Sequence, residues 1–282
     1  MLIPIGDADD PRIAPYRAVR ERDLAGREGR FVAEGAVVLR VLLTRSRLAV
    51  ESVLLSERQA PGLTDLMRHV PADAPVYVAP QAVMGAIVGF PIHRGVLAIG
   101  RRGAAASAAD LLAGLGPEAT VLGLIGIANH DNVGGIFRNA AAFGADAVLL
   151  DRTSCDPLYR KAIRVSVGGS LIVPFARAGS ALDLVEALAA AEFELVALSP
   201  RGAEPLEAYR GARRTALLLG AEGPGLPPEI LRRARTLRIP MAAGFDSLNV
   251  ATASGIALHH LMPAPRPAAG DHEMVAVEPR PQ

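Results

Sequence analysis

From Val121 to Leu261, short apolar runs alternate with segments of helical spacing, and no other feature restricts the possible folds so strongly. "TVLGLIGIA" leads to "NVGGIFRNAAAFG", then "ADAVLLD", "ALDLVEALAAA", "FELVALSP", "TALLLGAE", "PPEILRRA" and "TLRIPM". A last helix, from about Ser247 to Leu261, closes the series. The short apolar runs read as strands, and the segments with apolar residues three and four apart read as helices. Strands joined through helices lie parallel, because a parallel pair needs a long crossover, and the crossovers cover both faces of the sheet. The expected class is α/β with a mostly parallel sheet.

A smaller unit precedes this one. Residues 1–30 read as a polar leader. "FVAEGAVVLRVLLTRS" has helical spacing, "GLTDLMRHV" and "QAVMGAIVG" are helical, and "AVESVLLS", "APVYVAP" and "RGVLAIGRR" are strand-like. The expected organisation is a small α/β domain over 31–102, a small-residue linker with one or two helical turns over 103–119, and the larger domain over 120–262. A Pro-rich tail over 263–282, expected to be disordered, follows.

Composition narrows the function. Cys155 is the only cysteine, so no internal disulfide can form, and a reducing compartment is expected. The opening "MLIPIGDADDPR" lacks the basic start and apolar core of a secretory signal, and no apolar run reaches the about 18 residues of a membrane span. A cytoplasmic protein without membrane contact is the expectation. The net charge of +1 conceals an asymmetry: Pro11 to Arg102 holds 14 arginines against 8 acidic residues. A basic amino-terminal third suits an electrostatic grip on a phosphate backbone, or is a solvated Arg-rich surface. Tryptophan is absent, which argues against an aromatic base-stacking platform. No metal site is expected: His259 and His260 are adjacent and point to different faces, with no acidic partner at ligand spacing.

Three stretches stand out. In "ANHDNVGGIFRNAAAFG", Asn129, Asp131 and Asn132 are candidate helix caps. The helical neighbours of Arg138 are Gly134, Gly135, Ala141 and Ala142, so the arginine rises from a low surface that a phosphate or ribose could approach. A solvated arginine beside helix-packing glycines is the alternative. In "LLLGAEGPGLPPEI", Gly220, Gly223 and Gly225 form a turn around Glu222 whose backbone N–H groups can face a ligand. A Rossmann site would place its glycines after the first strand, so that class fits poorly. In "RIPMAAGFDSLNVATASGIALHH", Asp246 or Ser247 caps the closing helix, and the run of Ala, Ser and Gly permits close packing.

Taken in order, "NHDNVGGIFRNA", "LLLGAEGPGL" and "LRIPM…DSLNVATASGIAL" resemble the three motifs of the SpoU-type RNA ribose 2′-O-methyltransferases of the SPOUT superfamily. "VSVGGSLIVPF" looks like the family's small-residue turn between motifs one and two. The first third is similar to the ribosomal-protein-like substrate-binding domain that many members carry. The resemblance implies S-adenosylmethionine as methyl donor, a carboxy-terminal trefoil knot and a homodimer across the knotted region. It implies a cofactor held by Leu198, Ser199, Gly220, Ala221, Glu222, Gly223, Ile239, Met241, Ser247 and Leu248. It assigns Arg138 to catalysis, as proton acceptor or phosphate clamp, with Asn132 orienting it or the ribose and Glu222 and Asn249 bracing the loops. Arg160, Lys161 and Arg164 are candidate RNA contacts, or a solvated basic face. The substrate implied is RNA, ribosomal RNA ahead of transfer RNA. A non-catalytic RNA-binding protein on the same fold is the alternative. The chain departs from the family pattern at Asn129-His130, where Asp-Pro is frequent, and at Asn139, where Thr is.

Overall fold

The computed structural model describes residues 2–17, 29–88 and 95–262. The first sheet is built from β1 (Leu2–Pro4), β2 (Arg30–Glu34), β3 (Ala49–Ser56), β4 (Val76–Ala79) and β5 (Val96–Arg101), with helices α1 (Ala36–Thr44), α2 (Thr64–Met67) and α3 (Gln81–Val88). Its strand order is β1-β4-β3-β5-β2, with β5 antiparallel to both of its neighbours. Two expectations need correction. The helical spacing of "FVAEGAVVLRVLLTRS" is interrupted: its first residues are strand β2, because Gly35 at φ 96° turns the chain before α1 begins. Phe31 is thereby free to cover Gly100 on the paired strand, where a Cβ would lie 2.2 Å from its ring. The leader is also less separate than its polarity suggests. β1 pairs with β4, and Ile5, Ile13 and Tyr16 are buried with Leu54, Met84 and Ile99. Residues 18–28, part of that leader, lie outside the described residues, as does the tail over 263–282.

Helix α4 (Ala108–Ala113) opens the second unit. Ser107 caps it, and Leu112 is buried against the second sheet, so the expected linker contributes to the core. The sheet follows as β6 (Ala119–Ile125), β7 (Ala147–Leu150), β8 (Phe175–Arg177), β9 (Glu194–Leu198), β10 (Glu204–Pro205), β11 (Arg214–Gly220) and β12 (Arg235–Arg238). All its neighbouring strands are parallel, in the order β10-β12-β9-β11-β6-β7-β8. The helices between are α5 (His130–Phe143), α6 (Arg160–Val165), α7 (Gly169–Ile172), α8 (Ala181–Ala190), α9 (Pro228–Leu231) and α10 (Val250–Leu261). α5 and α10 cover one face over Leu122, Leu124, Val148 and Leu217, and α4, α8 and α9 cover the other over Val121, Leu149 and Leu218. Both faces of the central strands are therefore apolar, as crossover helices require.

A third apolar cluster joins the units. Phe31, Val38, Leu39, Leu42 and Leu55 of the first pack with Leu158, Ile163 and Leu171 of the second. Gly168, at φ +84°, brings its backbone against Val41 so closely that a Cβ would lie 2.8 Å from a valine methyl. Arg102 and Asp156 add an ion pair across the same junction.

Candidate active site

The carboxy-terminal ends of β9, β11 and β12 open onto a cleft of ≈ 500 Å³. Open parallel sheets place ligands at this end of their strands. Leu198 and Ser199 follow β9, and Gly220 to Gly223 follow β11. The segment after β12 contributes Ile239, Met241, Ser247 and Leu248. All ten residues expected around a cofactor thus line one cavity. Pro200, Leu219, Leu226, Val250 and Ala253 also line the wall without having been expected around the cofactor. They are the apolar neighbours of singled-out residues, a signal that pattern reading overlooks.

The turn after β11 is shaped by its glycines. Gly223 and Gly225 have φ of +86° and +71°, and Gly225 N–H donates to Ala221 O at 2.9 Å. A Cβ on Gly220 would lie 2.4 Å from the carbonyl carbon of Gly225. No residue with a side chain permits that approach, so the turn folds tightly and presents Glu222 at its tip.

Asn249 joins Glu222 to a third residue far away in sequence. Asn249 Nδ2 donates to Glu222 Oε1 at 2.9 Å and to Asn132 Oδ1 at 2.9 Å. Its Oδ1 accepts from the N–H groups of Ala251 (2.9 Å) and Thr252 (3.3 Å). Asn249 is therefore the cap of α10, and the helix begins at Val250 rather than near Ser247. Asp246 and Ser247 are equally good cap types. The tertiary partners decide, because only Asn249 faces Asn132 and Glu222. The strand before this loop ends at Arg238, so the rest of "RIPM" is loop.

Asn132 stands in the first turn of α5, which Asn129 caps by accepting from Asp131 N–H at 2.8 Å. Arg138 lies six residues further, about 9 Å along the helix. Its side chain is exposed, and no hydrogen bond or ion pair engages it among the described residues. The small residues around it do not leave an open floor. Gly134 packs on α6, with a Cβ due 2.7 Å from Val165, and Gly135 packs on α10, 2.6 Å from the Ala251 methyl. Arg138 thus emerges between two helices that have closed on the glycines.

Residues 119–259 match the SpoU rRNA Methylase family. The chain belongs to this family. Among its relatives is an uncharacterized tRNA/rRNA methyltransferase of Mycobacterium bovis, 40% identical over 274 residues, covering 91% of this chain and 93% of that one. A 23S rRNA (guanosine-2′-O-)-methyltransferase, RlmB, of Acinetobacter baylyi is 31% identical over 178 residues, 61% of this chain and 72% of that one. The crystal structure of an AdoMet-bound rRNA methyltransferase from Sinorhizobium meliloti has the same fold, with a TM-score of 0.76 over 92% of this chain and 97% of that one at 24% identity.

Within this SpoU domain the basic residues of α6 are engaged by the protein itself. Lys161 Nζ pairs with Asp131 Oδ2 at 2.7 Å. Arg160 and Arg164 flank Glu34 of the first unit, at 3.7 and 4.0 Å. They do not line the cleft.

Two further groups set the SpoU site's shape through contacts that were not anticipated. Asn139, beside Arg138, donates from Nδ2 to Ala251 O (2.7 Å) and Ser254 Oγ (2.9 Å), tying α5 to the first turns of α10. Asp151 Oδ1 accepts from Gly126 N–H (3.2 Å), Ser154 N–H (2.8 Å) and Ser154 Oγ (2.7 Å), while Ser154 Oγ accepts from Ile127 N–H at 3.0 Å. This anchors the loop that enters α5. Burial raises the Asp151 carboxyl, but the hydroxyls of Ser154 and Thr153 and the two N–H groups outweigh it and hold the group below the usual carboxylate range. An acid at the end of a strand followed by Thr and Ser is the sequence signal for such an anchor. Among the described residues no group of three or more His, Cys, Asp or Glu is placed to hold a metal ion, and no helix is long and apolar enough to cross a membrane.

Proposed function

We propose that this SpoU-family methyltransferase moves a methyl group from S-adenosylmethionine to a ribose 2′-hydroxyl of structured RNA, with ribosomal RNA ahead of transfer RNA. The observation that carries the reading is the cleft lined by all ten residues expected around the cofactor, where Asn249 ties Glu222 to Asn132 of α5. Its chemistry suits the cofactor. Leu198, Leu219, Ile239 and Met241 offer apolar walls to a flat base, tight glycine turns offer backbone groups to a ribose, and Glu222 is the only ionisable side chain in the lining, a favourable neighbour for a sulfonium.

When bound, S-adenosylmethionine supplies an electrophilic methyl group on a positively charged sulfur. The protein's task is to hold the hydroxyl in line with it and to manage the proton. Asn249 fixes the Glu222 turn against α5, so the cofactor wall and the catalytic helix keep one spacing. Arg138 is the catalytic residue: its guanidinium grips the phosphate of the target nucleotide, orients the ribose and steadies the charge developing on the hydroxyl oxygen. A guanidinium stays protonated, so the gripped phosphate oxygen takes the proton. The reaction belongs in the cytoplasm with its substrate. The segment 239–249 is read as part of the family's knot. Exposed Phe245, Leu248 and Ile256, on that segment and on α10, support a homodimer built there.

The test is transfer of labelled methyl from S-adenosylmethionine to ribosomal and transfer RNA from cells lacking this gene, with 2′-O-methyl sites mapped. One new site names the substrate. Arg138→Ala should retain cofactor binding by calorimetry and lose transfer by about a hundredfold or more. No transfer to either RNA would sink the enzymatic reading and leave an RNA-binding protein.

A further inference from the structure

Helix α6 carries cations on two faces. Lys161 reaches Asp131 of α5, whereas Arg160 and Arg164, one turn apart, face Glu34 at the end of β2. Glu34 is 7% exposed, and its Oε2 accepts no hydrogen bond among the described residues. Arg160 Nε stands 3.7 Å from that oxygen and Arg164 Nη1 4.0 Å. Both distances lie within ion-pair range and beyond hydrogen-bond range, so charge holds the group together without a directional bond. A buried carboxylate oxygen that lacks a donor is a costly arrangement beside guanidinium groups rich in donors. The two arginines also differ in freedom: the side chain of Arg160 is 25% exposed and that of Arg164 44%.

We propose that Arg164 is a phosphate-binding arm for RNA, parked on Glu34 at the junction of the two units and released to a backbone phosphate when RNA binds. Arg160, the more buried of the pair, stays and keeps Glu34 neutralised. The inference rests on RNA as the ligand of this protein. A phosphate is the better partner for Arg164, because a guanidinium meets it with two parallel charge-assisted hydrogen bonds. Retaining Arg160 avoids leaving a buried carboxylate with no counter-charge, which is the expensive outcome when an ion pair is broken. Because RNA must compete with Glu34 for the arm, encounters that offer phosphates alone are penalised relative to those that also engage the rest of the site.

The experiment is fluorescence anisotropy of a short labelled RNA hairpin of arbitrary sequence with the full chain, across a potassium chloride series. Glu34→Gln keeps the shape and removes the charge that parks the arm. It should tighten hairpin binding about two- to fivefold, the scale of a partly exposed ion pair. Arg164→Gln should weaken binding and reduce the slope of log affinity against log salt by about 0.7–0.9, one phosphate contact. In the Arg164→Gln background, Glu34→Gln should change nothing. Unchanged or weaker binding by Glu34→Gln, or a gain that persists without Arg164, would make Glu34 a structural brace and overturn the proposal. If melting curves show that Glu34→Gln does not fold, Arg164→Gln decides alone, and an unaltered salt slope overturns the arm. Methyl transfer does not enter these measurements. The expected hairpin results without any transfer would remove the enzymatic reading and spare the arm, whereas no RNA binding by the unaltered protein would remove both.

Discussion

At the scale of the residue, Asn249 carries the most. Both of its amide hydrogens and its oxygen are committed, the hydrogens to Asn132 and Glu222 and the oxygen to the first N–H groups of α10. Asp would serve as well for the cap but has no hydrogen to give and would set a second carboxylate against Glu222. Asn249→Asp therefore separates the two jobs. It should lower stability by about 1–3 kcal/mol and weaken S-adenosylmethionine binding at least tenfold, read by thermal unfolding and calorimetry. If the cap alone mattered, Asn249→Asp would behave as the unaltered protein, and only Asn249→Ala would fail. That Asn249 would brace the Glu222 loop is an expectation of the family resemblance, whereas its place as the cap is not. Asp246, Ser247 and Asn249 are all cap formers in one loop, and local chemistry cannot choose among them.

The elements that matter are α5 and α10, packed through residues too small to keep them apart. Gly135 faces the Ala251 methyl, and Asn139 grips the Ala251 carbonyl and the Ser254 hydroxyl. Gly135→Val would force the helices apart at Ala251, costing about 1–3 kcal/mol and lowering transfer more than RNA binding, as parallel melting and turnover assays would read. The loop into α5 has its own dependence on pH. Asp151 is held below the ordinary carboxylate range, so its contribution is present above the unfolded value of about 3.9 and is lost as pH falls through its lower folded value. Asp151→Ala should be less stable than the unaltered protein at pH 7, with the gap closing below about pH 4 in denaturant titrations. Most strands and helices of the second unit follow from period and composition alone. Elements stabilised by backbone pairing or a single turn do not: β1 is three residues long, and β2 is hidden by the helical spacing of its own sequence until Gly35 breaks it.

For the whole molecule, the two units share buried side chains rather than a hinge. Leu158, Ile163 and Leu171 belong to the cluster that fills the first unit, and Gly168 presses its backbone on Val41. Such contiguity predicts one cooperative thermal transition with equal calorimetric and van't Hoff enthalpies; two resolved transitions would show the junction to be weak. Composition indicated two units, but their fusion was not legible, because a residue that faces a neighbouring domain looks like one that faces its own core. One hydrogen bond carries a last consequence. The contact between Asn249 and Asn132 joins positions 117 residues apart, and the later partner sits close to the end of the described fold. During synthesis α5 emerges long before its closing partner, so a chain interrupted between α5 and α10 carries Asn132 without Asn249, and the cleft lacks the wall formed by Asn249, Val250 and Ala253. The cleft is therefore complete only once the final helix of the fold has been made.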